Sequence, residues 1–377
     1  MTEPNRRQFM HAIGAGAAVF AARPVFASGR SYAPIARSPL AAAGDVHLNY
    51  NESPYGPSPR ALEAFHKASI AHISRYYPED HYDTLCAAIA KYHGVTPDHV
   101  RVTVGSTEVL KICDDVFLAG GAPLVVAKPA YEAVLQYAAN SKAASTLVPL
   151  TADQRHDLPA MAAATTANTG LVYICNPNNP TGTIVRKDEI AAFMARVPAQ
   201  VTVLVDEAYA EFVDDAGYES AVKYVKEGRN VIVAKTFSKI HGLAGSRVGY
   251  AIAKPDLLAR IAPFTVDFAV SGATANAAMA SLADASYLAD VRRKNAAQRK
   301  LFVSEMRTLG FDGPESHANF AMVNLRRPVG PVTAEFAKRH ILVGREFPAL
   351  PTYLRVTFGT DAEMKAFYPA FREIMKA

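Results

Sequence analysis

From about Val100 onward the chain alternates short, continuous apolar runs with longer stretches whose apolar residues recur at helical spacing. "VRVTV" (100–104) precedes "TEVLKICDDVFLAGG", and "LVVAKP" (124–129) precedes "AYEAVLQYAA". "LVYICNP" (171–177) leads through a polar loop to "KDEIAAFMARV", and "VTVLVDEA" (201–208) and "VIVAKT" (231–236) are further apolar runs between polar turns. Strands that are apolar throughout, set between helices, predict a largely parallel sheet covered on both faces. Ligands of such sheets sit beyond the carboxyl ends of the strands, which is where the unusual polar residues of this chain fall.

After Pro263 the pattern changes. A helical stretch rich in Ala, Arg, Lys and Gln runs from about Tyr287 to Leu309 and stops at Gly310. Short runs "FAMVNL", "ILVGREF" and "YLRVTF" then alternate with helices, the last of which opens on Thr360-Asp361-Ala362-Glu363, a capping-box pattern. This part reads as a smaller α+β lobe. No internal repeat and no low-complexity linker interrupts the chain.

Composition adds limits. Half of the residues are apolar and 20% are charged, enough for one large core or two lobes. A net charge of +5 without a basic stripe gives no reason to expect nucleic-acid binding. Cys86, Cys113 and Cys175 are odd in number and far apart, and no histidine pair has ligand spacing, so neither a disulfide framework nor a metal site is expected.

The first residues carry a different signal. Arg6 and Arg7 precede Phe9 and a short apolar run, which ends in the small-residue pattern Val25-Phe26-Ala27. This predicts a twin-arginine export signal over residues 1–27, read by the twin-arginine export machinery and removed near Ala27. A chance arginine pair on a disordered arm is the rival reading. The run contains His11 and is shorter than the roughly 20 residues that span a bilayer, so no stable membrane anchor is expected. Export places the protein in the periplasm; without it the location is the cytoplasm.

The chemistry concentrates in a few segments. In "AKTFSKIHGLAGSRVGY" (234–250) Lys239 follows a strand and a Thr-Phe-Ser turn, with Arg247 eight residues on. A lysine in a dry site can form a Schiff base with an aldehyde cofactor, and a nearby guanidinium suits its phosphate, with the hydroxyls of Thr236 and Ser238 as further donors. Alone, the segment reads equally well as a surface loop. In "VGSTEVLK" (104–111) Ser106 and Thr107 follow Gly105 at a helix start, which is either an anion site or an ordinary cap. "VLVDEAYAEF" (203–212) sets Asp206 just past a buried strand, with Tyr209 three residues on. A buried carboxylate needs a cationic partner, such as a protonated ring nitrogen, unless it is simply an N-cap. "NPNNPTG" (176–182) is a rigid turn whose Asn179 can reach a ring hydroxyl, and "KPAYEAV" (128–134) offers Tyr131 for stacking or for the core.

In this order and at these spacings the segments resemble fold-type I pyridoxal-phosphate enzymes, the class I/II aminotransferases, and more narrowly the histidinol-phosphate aminotransferase family. "NYNESPYGPSPRALEAF" (49–65) and "RYYPED" (75–80) extend the match over nearly the whole chain after the signal. The resemblance implies an aspartate-aminotransferase-like fold. That fold has an N-terminal arm (28–60), a large pyridoxal-phosphate domain with a mostly parallel seven-stranded sheet (61–283) and a small α+β domain (284–377). It implies an aminotransferase that moves an amino group from an amino acid, aromatic ones among the candidates, or from histidinol phosphate to a keto acid such as 2-oxoglutarate. By the same resemblance Lys239 carries pyridoxal 5'-phosphate and moves the substrate proton, and Asp206 pairs with the ring nitrogen. Asn179 and Tyr209 hold the ring hydroxyl, and Tyr131 stacks on the ring. Ser106, Thr107, Thr236, Ser238 and Arg247 surround the phosphate, with Tyr77 reaching it from the neighbouring subunit of a homodimer. Arg355, Asn51 and Arg345 are the expected substrate contacts.

One departure stands out. The family usually has an arginine directly after an "IIV"-like run, where this chain has Gly344, with Arg345 one residue later. Strand alternation then predicts that Arg345 points away from the site unless Gly344 forms a bulge. This and the export signal favour a broad or aromatic amino-acid donor over histidinol phosphate. His241 reads as a packed residue or a substrate contact. The rival reactions are an amino-acid decarboxylase or oxidase on the same scaffold and, remotely, a ligand-binding protein without catalysis.

Overall fold

Continuous apolar runs can be buried on both faces only inside a sheet covered by helices, and that is how this chain uses them. The computed structural model describes residues 44–74 and 81–376. The expected export signal (1–27) and Tyr77 lie outside these residues. The described strands are β1 (Val46–Leu48), β2 (Val100–Thr103), β3 (Leu124–Lys128), β4 (Ser145–Pro149), β5 (Leu171–Cys175) and β6 (Thr202–Asp206). They continue with β7 (Val231–Thr236), β8 (Gly249–Ala253), β9 (Phe320–Asn324), β10 (Ile341–Val343) and β11 (Tyr353–Thr357).

Seven of them form the central sheet, in the order β2-β8-β7-β6-β5-β3-β4. The pairs from β4 through β7 are parallel, while β8 runs antiparallel to both β7 and β2. The strand pleat sends alternate residues to opposite faces, and the core divides accordingly. Val172, Ile174, Val203, Val205, Val231 and Val233 join one apolar cluster, whereas Leu171, Tyr173, Leu204, Ile232 and Ala234 join the other. Strands β5 to β8 are buried at every position. Chain order reverses between β3 and β5: from β3 the chain turns outward to β4, then returns to the other side of β3 as β5. A crevice opens at such a reversal, at the carboxyl ends of the strands.

The C-terminal part has its own apolar cluster, with Phe302, Phe336, Phe358, Phe367 and Phe371 at its centre. The rings of Phe336 and Phe367 stack with centroids 5.2 Å apart. Its long helix, Ala285–Thr308, begins slightly before the expected Tyr287 because the Asp284 side chain caps it, accepting from the Tyr287 N–H. It ends where Gly310 takes a φ of +80°. The capping box of the last helix, Asp361–Lys376, forms as read. Thr360 N–H donates to Glu363 Oε2 at 2.7 Å, and Glu363 N–H donates to Thr360 Oγ1 at 3.3 Å. Two small sheets complete this part, β9 with β11 antiparallel and β1 with β10 parallel. Pairing with β10 brings the segment that follows β1, with Asn49, Tyr50 and Asn51, up to the ends of the central strands.

Candidate active site

Asp206 is the last residue of β6 and is only 4% exposed. Tyr173 Oη–H donates to its Oδ2 at 3.0 Å and Ala208 N–H donates to its Oδ1 at 3.1 Å. Burial pushes its pKa up to about 6, although both hydrogen bonds and the charge of Lys239 pull the other way. No ion pair reaches this carboxylate among the described residues. Lys239 stands three residues beyond the end of β7. Its Nζ donates to the Tyr50 carbonyl at 3.1 Å and lies 5.6 Å from the centroid of the Tyr209 ring. Burial, and then the charge of Arg355, lower its pKa to about 8. An amine so tuned is deprotonated far more readily near neutral pH than an exposed lysine, which is what a nucleophile or general base needs.

A second cluster sits at the start of the helix Ser106–Phe117. Gly105 precedes it with a φ of +75°, which favours glycine, and a Cβ there would fall 2.7 Å from Arg247 Nη2 and push the guanidinium aside. Gly249, the first residue of β8, has the same role: a Cβ on it would lie 2.5 Å from Ser106 N. Arg247 Nη1 donates to Ser238 Oγ at 3.2 Å and to the Ala244 carbonyl at 2.8 Å, and Ser238 N–H donates to Thr236 Oγ1 at 3.0 Å. Arg247 has no carboxylate partner among the described residues. A guanidinium without a counter-ion, free helix N–H groups and several hydroxyls form a cradle for a phosphate.

Between these clusters lies a polar wall. Asn51, held at φ +56°, donates from Nδ2 to Tyr209 Oη at 3.1 Å and accepts from Thr357 Oγ1 at 3.0 Å. Arg355, in β11, donates from Nη1 to Asn179 Oδ1 and from Nη2 to the Asn49 carbonyl, both at 2.8 Å. It is 8% exposed, and among the described residues its Nε has no partner and no carboxylate pairs with it. Burial lowers its pKa to about 10, and nearby Arg345 adds to the fall.

Arg345 differs from the strand argument for a simple reason. Strand β10 ends at Val343, so alternation no longer governs residues 344 and 345. Gly344 instead lets the chain touch β11, since a Cβ on it would lie 2.5 Å from the Arg355 carbonyl oxygen. Arg345 turns toward the site: it pairs with Glu132 and lies 4.3 Å from the Phe347 ring centroid, with Arg355 5.1 Å from the same centroid. The structure thus gathers every candidate except Tyr77, which lies outside the described residues. His241 packs instead, bonded through Nδ1 to Ser281 Oγ at 2.8 Å.

Some contributors had a faint signal or none in the sequence. Tyr173 is a hydroxyl inside an otherwise apolar strand next to the one that ends in Asp206, which was a readable clue. Asn49 and Phe320 meet Arg355, and Glu132 meets Arg345, only through tertiary contacts, while Phe347 is a near neighbour in sequence of both arginines. Among the described residues, no cluster of His, Cys, Asp and Glu could hold a metal ion.

Residues 43–371 match the family described as aminotransferase class I and II. A histidinol-phosphate aminotransferase of Moorella thermoacetica is 36% identical over 332 residues, covering 88% of this chain and 85% of that protein. An aromatic amino acid aminotransferase of Streptomyces coelicolor is 37% identical over 341 residues, covering 90% of this chain and 93% of the other. The crystal structure of histidinol-phosphate aminotransferase from Sinorhizobium meliloti, in complex with pyridoxal-5'-phosphate, superposes with a TM-score of 0.81 at 28% identity. That match covers 87% of this chain and 90% of the other.

Proposed function

This chain belongs to the aminotransferase class I and II family, and we propose that its site binds pyridoxal 5'-phosphate and transfers an amino group from a donor with one anionic group to a keto acid. The observation that carries the cofactor reading is the pairing of two unmet needs. Among the described residues Asp206 is a buried carboxylate with no lysine, arginine or histidine paired to it, and the Gly105–Arg247 cradle is a cationic site with no carboxylate paired to it. A ring with a basic nitrogen at one end and a phosphate at the other answers both.

When bound, the cofactor supplies an aldehyde for the lysine and a ring that delocalises the electrons left when Cα loses its proton. The protein supplies the rest. Ser106, Thr107, Thr236, Ser238 and Arg247 hold the phosphate, and Tyr131 covers the ring. Asn179 and Tyr209 contact the ring hydroxyl, with Asn51 orienting Tyr209. Asp206 keeps a proton on the ring nitrogen by its negative charge. Lys239, with its proton affinity lowered, takes the proton from substrate Cα and returns it one step along.

Arg355 is the substrate's anion receptor. Its neighbour Arg345 already has a counter-ion in Glu132, so, with Arg247 assigned to the cofactor phosphate, one uncompensated guanidinium among the described residues is left for the substrate. This favours an aromatic or other neutral amino acid bound by its carboxylate, or histidinol phosphate bound by its phosphate, over dicarboxylic donors. A homodimer is part of the proposal: Ile70 and Ile73, each 86% exposed, lie just before the segment that holds Tyr77 and suit contact with a second copy. The Arg6–Arg7 pattern supports periplasmic export of the folded, loaded enzyme.

The test is a donor panel followed by loss of the visible absorbance of the loaded protein, with phenylalanine, tyrosine, histidine, histidinol phosphate, glutamate and aspartate. Rapid bleaching by phenylalanine or tyrosine supports the aromatic reading. Rapid bleaching by histidinol phosphate alone moves the assignment there. Release of carbon dioxide or hydrogen peroxide with no keto-acid requirement would refute transamination.

A further inference from the structure

Both oxygens of Asp206 already have a donor, and the two donors differ in kind. Ala208 N–H is fixed by the backbone, whereas Tyr173 Oη–H comes from a side chain that could have been any apolar residue. Tyr173 lies in β5, two residues before Cys175, the in-register partner of Asp206, so its side chain shares the face of Asp206 and its hydroxyl reaches the strand end. The ring is 0% exposed and sits in the apolar cluster with Leu204, Ile232 and Ala234. A hydroxyl costs free energy in such a place unless it is bonded, and here it is spent on the carboxylate.

We propose that Tyr173 is a positioning residue for the reaction: acting through Asp206, it keeps the carboxylate ionised and aimed, so that the shared proton stays on the cofactor's ring nitrogen. This rests on the pyridoxal-phosphate reading of the site. A hydrogen bond to the charged form of an acid favours that form, and the other titratable groups nearby do not replace it. Lys239 favours the ionised carboxylate through space, Glu207 opposes it, and neither they nor Cys175 or Tyr209 hydrogen-bonds to the carboxylate. Without the phenol, Asp206 becomes more basic and draws the proton from the ring nitrogen. The ring then accepts electrons less well, and proton removal from Cα by Lys239 slows.

The experiment is Tyr173→Phe in the loaded enzyme, which keeps the ring and removes only the hydroxyl. With an α-deuterated amino donor we expect kcat about tenfold lower, a larger deuterium effect on kcat, and KM within about threefold. The pH midpoint at which the visible band titrates should rise by at least about half a unit, because a less positive ring lets the lysine-linked nitrogen hold its proton longer. Asp206→Asn supplies the second arm, since in that background Tyr173→Phe should change neither kcat nor the midpoint. Unchanged kcat, isotope effect and midpoint in Tyr173→Phe would overturn the proposal, as would an equal loss in the Asp206→Asn background. A loss explained by lower cofactor content or lower Tm would do the same. If the protein shows no visible band with pyridoxal phosphate at all, the cofactor reading itself fails and the proposal falls with it. A loaded enzyme indifferent to Tyr173→Phe refutes the proposal alone.

Discussion

Substituting Lys235 tests how the two central side chains are held in register. Lys235, in β7 four residues before Lys239, pairs with Glu207 Oε2 at 3.0 Å and with Glu211 Oε1 at 2.8 Å. Lys235 and Glu207 are buried and Glu211 is partly buried, with side-chain exposures of 4%, 1% and 11%. Glu207 directly follows Asp206, receives hydrogen bonds from Ser220 Oγ and Ala221 N–H, and its own N–H donates to the Ala234 carbonyl. The triad therefore ties the end of β6 to the end of β7. Lys235→Met would leave the carboxylates buried without their cation, a change that costs about 3–5 kcal/mol. One kcal/mol moves Tm by roughly 1–2 °C in a chain of this length, so the expected loss is about 3–10 °C.

The pH dependence identifies the cause. Burial alone would lower the pKa of Lys235, but the charges of Glu211 and Glu207 raise it well above normal. Its contribution is therefore complete below the unfolded-chain value of about 10.4 and fades only above it. Burial raises the pKa of Glu211, but the charge and hydrogen bond of Lys235 outweigh it and bring it below normal. That contribution is complete above about 4.3 and fades below it. In Lys235→Met the largest influences that lower Glu211 are gone and burial, opposed only by His241 and a backbone hydrogen bond, raises it, so protonation relieves the variant as pH falls. Tm of both proteins should be followed by calorimetry from pH 5 to pH 8.5. The gap should be widest at the alkaline end and narrow toward pH 5. A gap below about 1 °C, or one that widens on acidification, would refute the reasoning.

Two further substitutions test the substrate side. Glu132→Gln should release Arg345 as a second anion receptor, lowering the KM ratio of glutamate to phenylalanine about two- to fivefold, the upper part of the range an exposed ion pair commands; initial rates with the two donors read it directly. Gly344→Ala places a methyl group 2.5 Å from the Arg355 carbonyl oxygen and 2.9 Å from its Cβ, so the guanidinium must shift. Donor KM should rise roughly tenfold or more while cofactor affinity, measured by absorbance titration, stays unchanged.

How much of this was legible depended on whether the information was local. Strands β3, β5, β6 and β7 announce themselves because both of their faces are buried, which forces a continuous apolar run. Strand β4 does not, because it is an edge strand on which Ser145, Thr146 and Leu147 are exposed. Strand β8 follows so closely on Arg247 that its apolar residues read as the tail of the phosphate segment. The cofactor side was readable because each residue sits at a strand end or helix start with a recognisable turn beside it. The substrate side was not. Arg355 is defined by Asn49, Asn179 and Phe347, which come from three distant parts of the chain. The direction of Arg345 stays open in the sequence because it depends on how Gly344 meets β11, where the Gly344 N–H donates to the Arg355 carbonyl.

The central claim is that Lys239 holds the cofactor against Asp206. Borohydride reduction of the protein loaded with pyridoxal phosphate, followed by peptide mapping, tests it most directly. The account predicts a single stable label on Lys239, lost in Lys239→Ala. Label on a peptide lacking Lys239, or no stable label on a protein that has bound the cofactor, would contradict it.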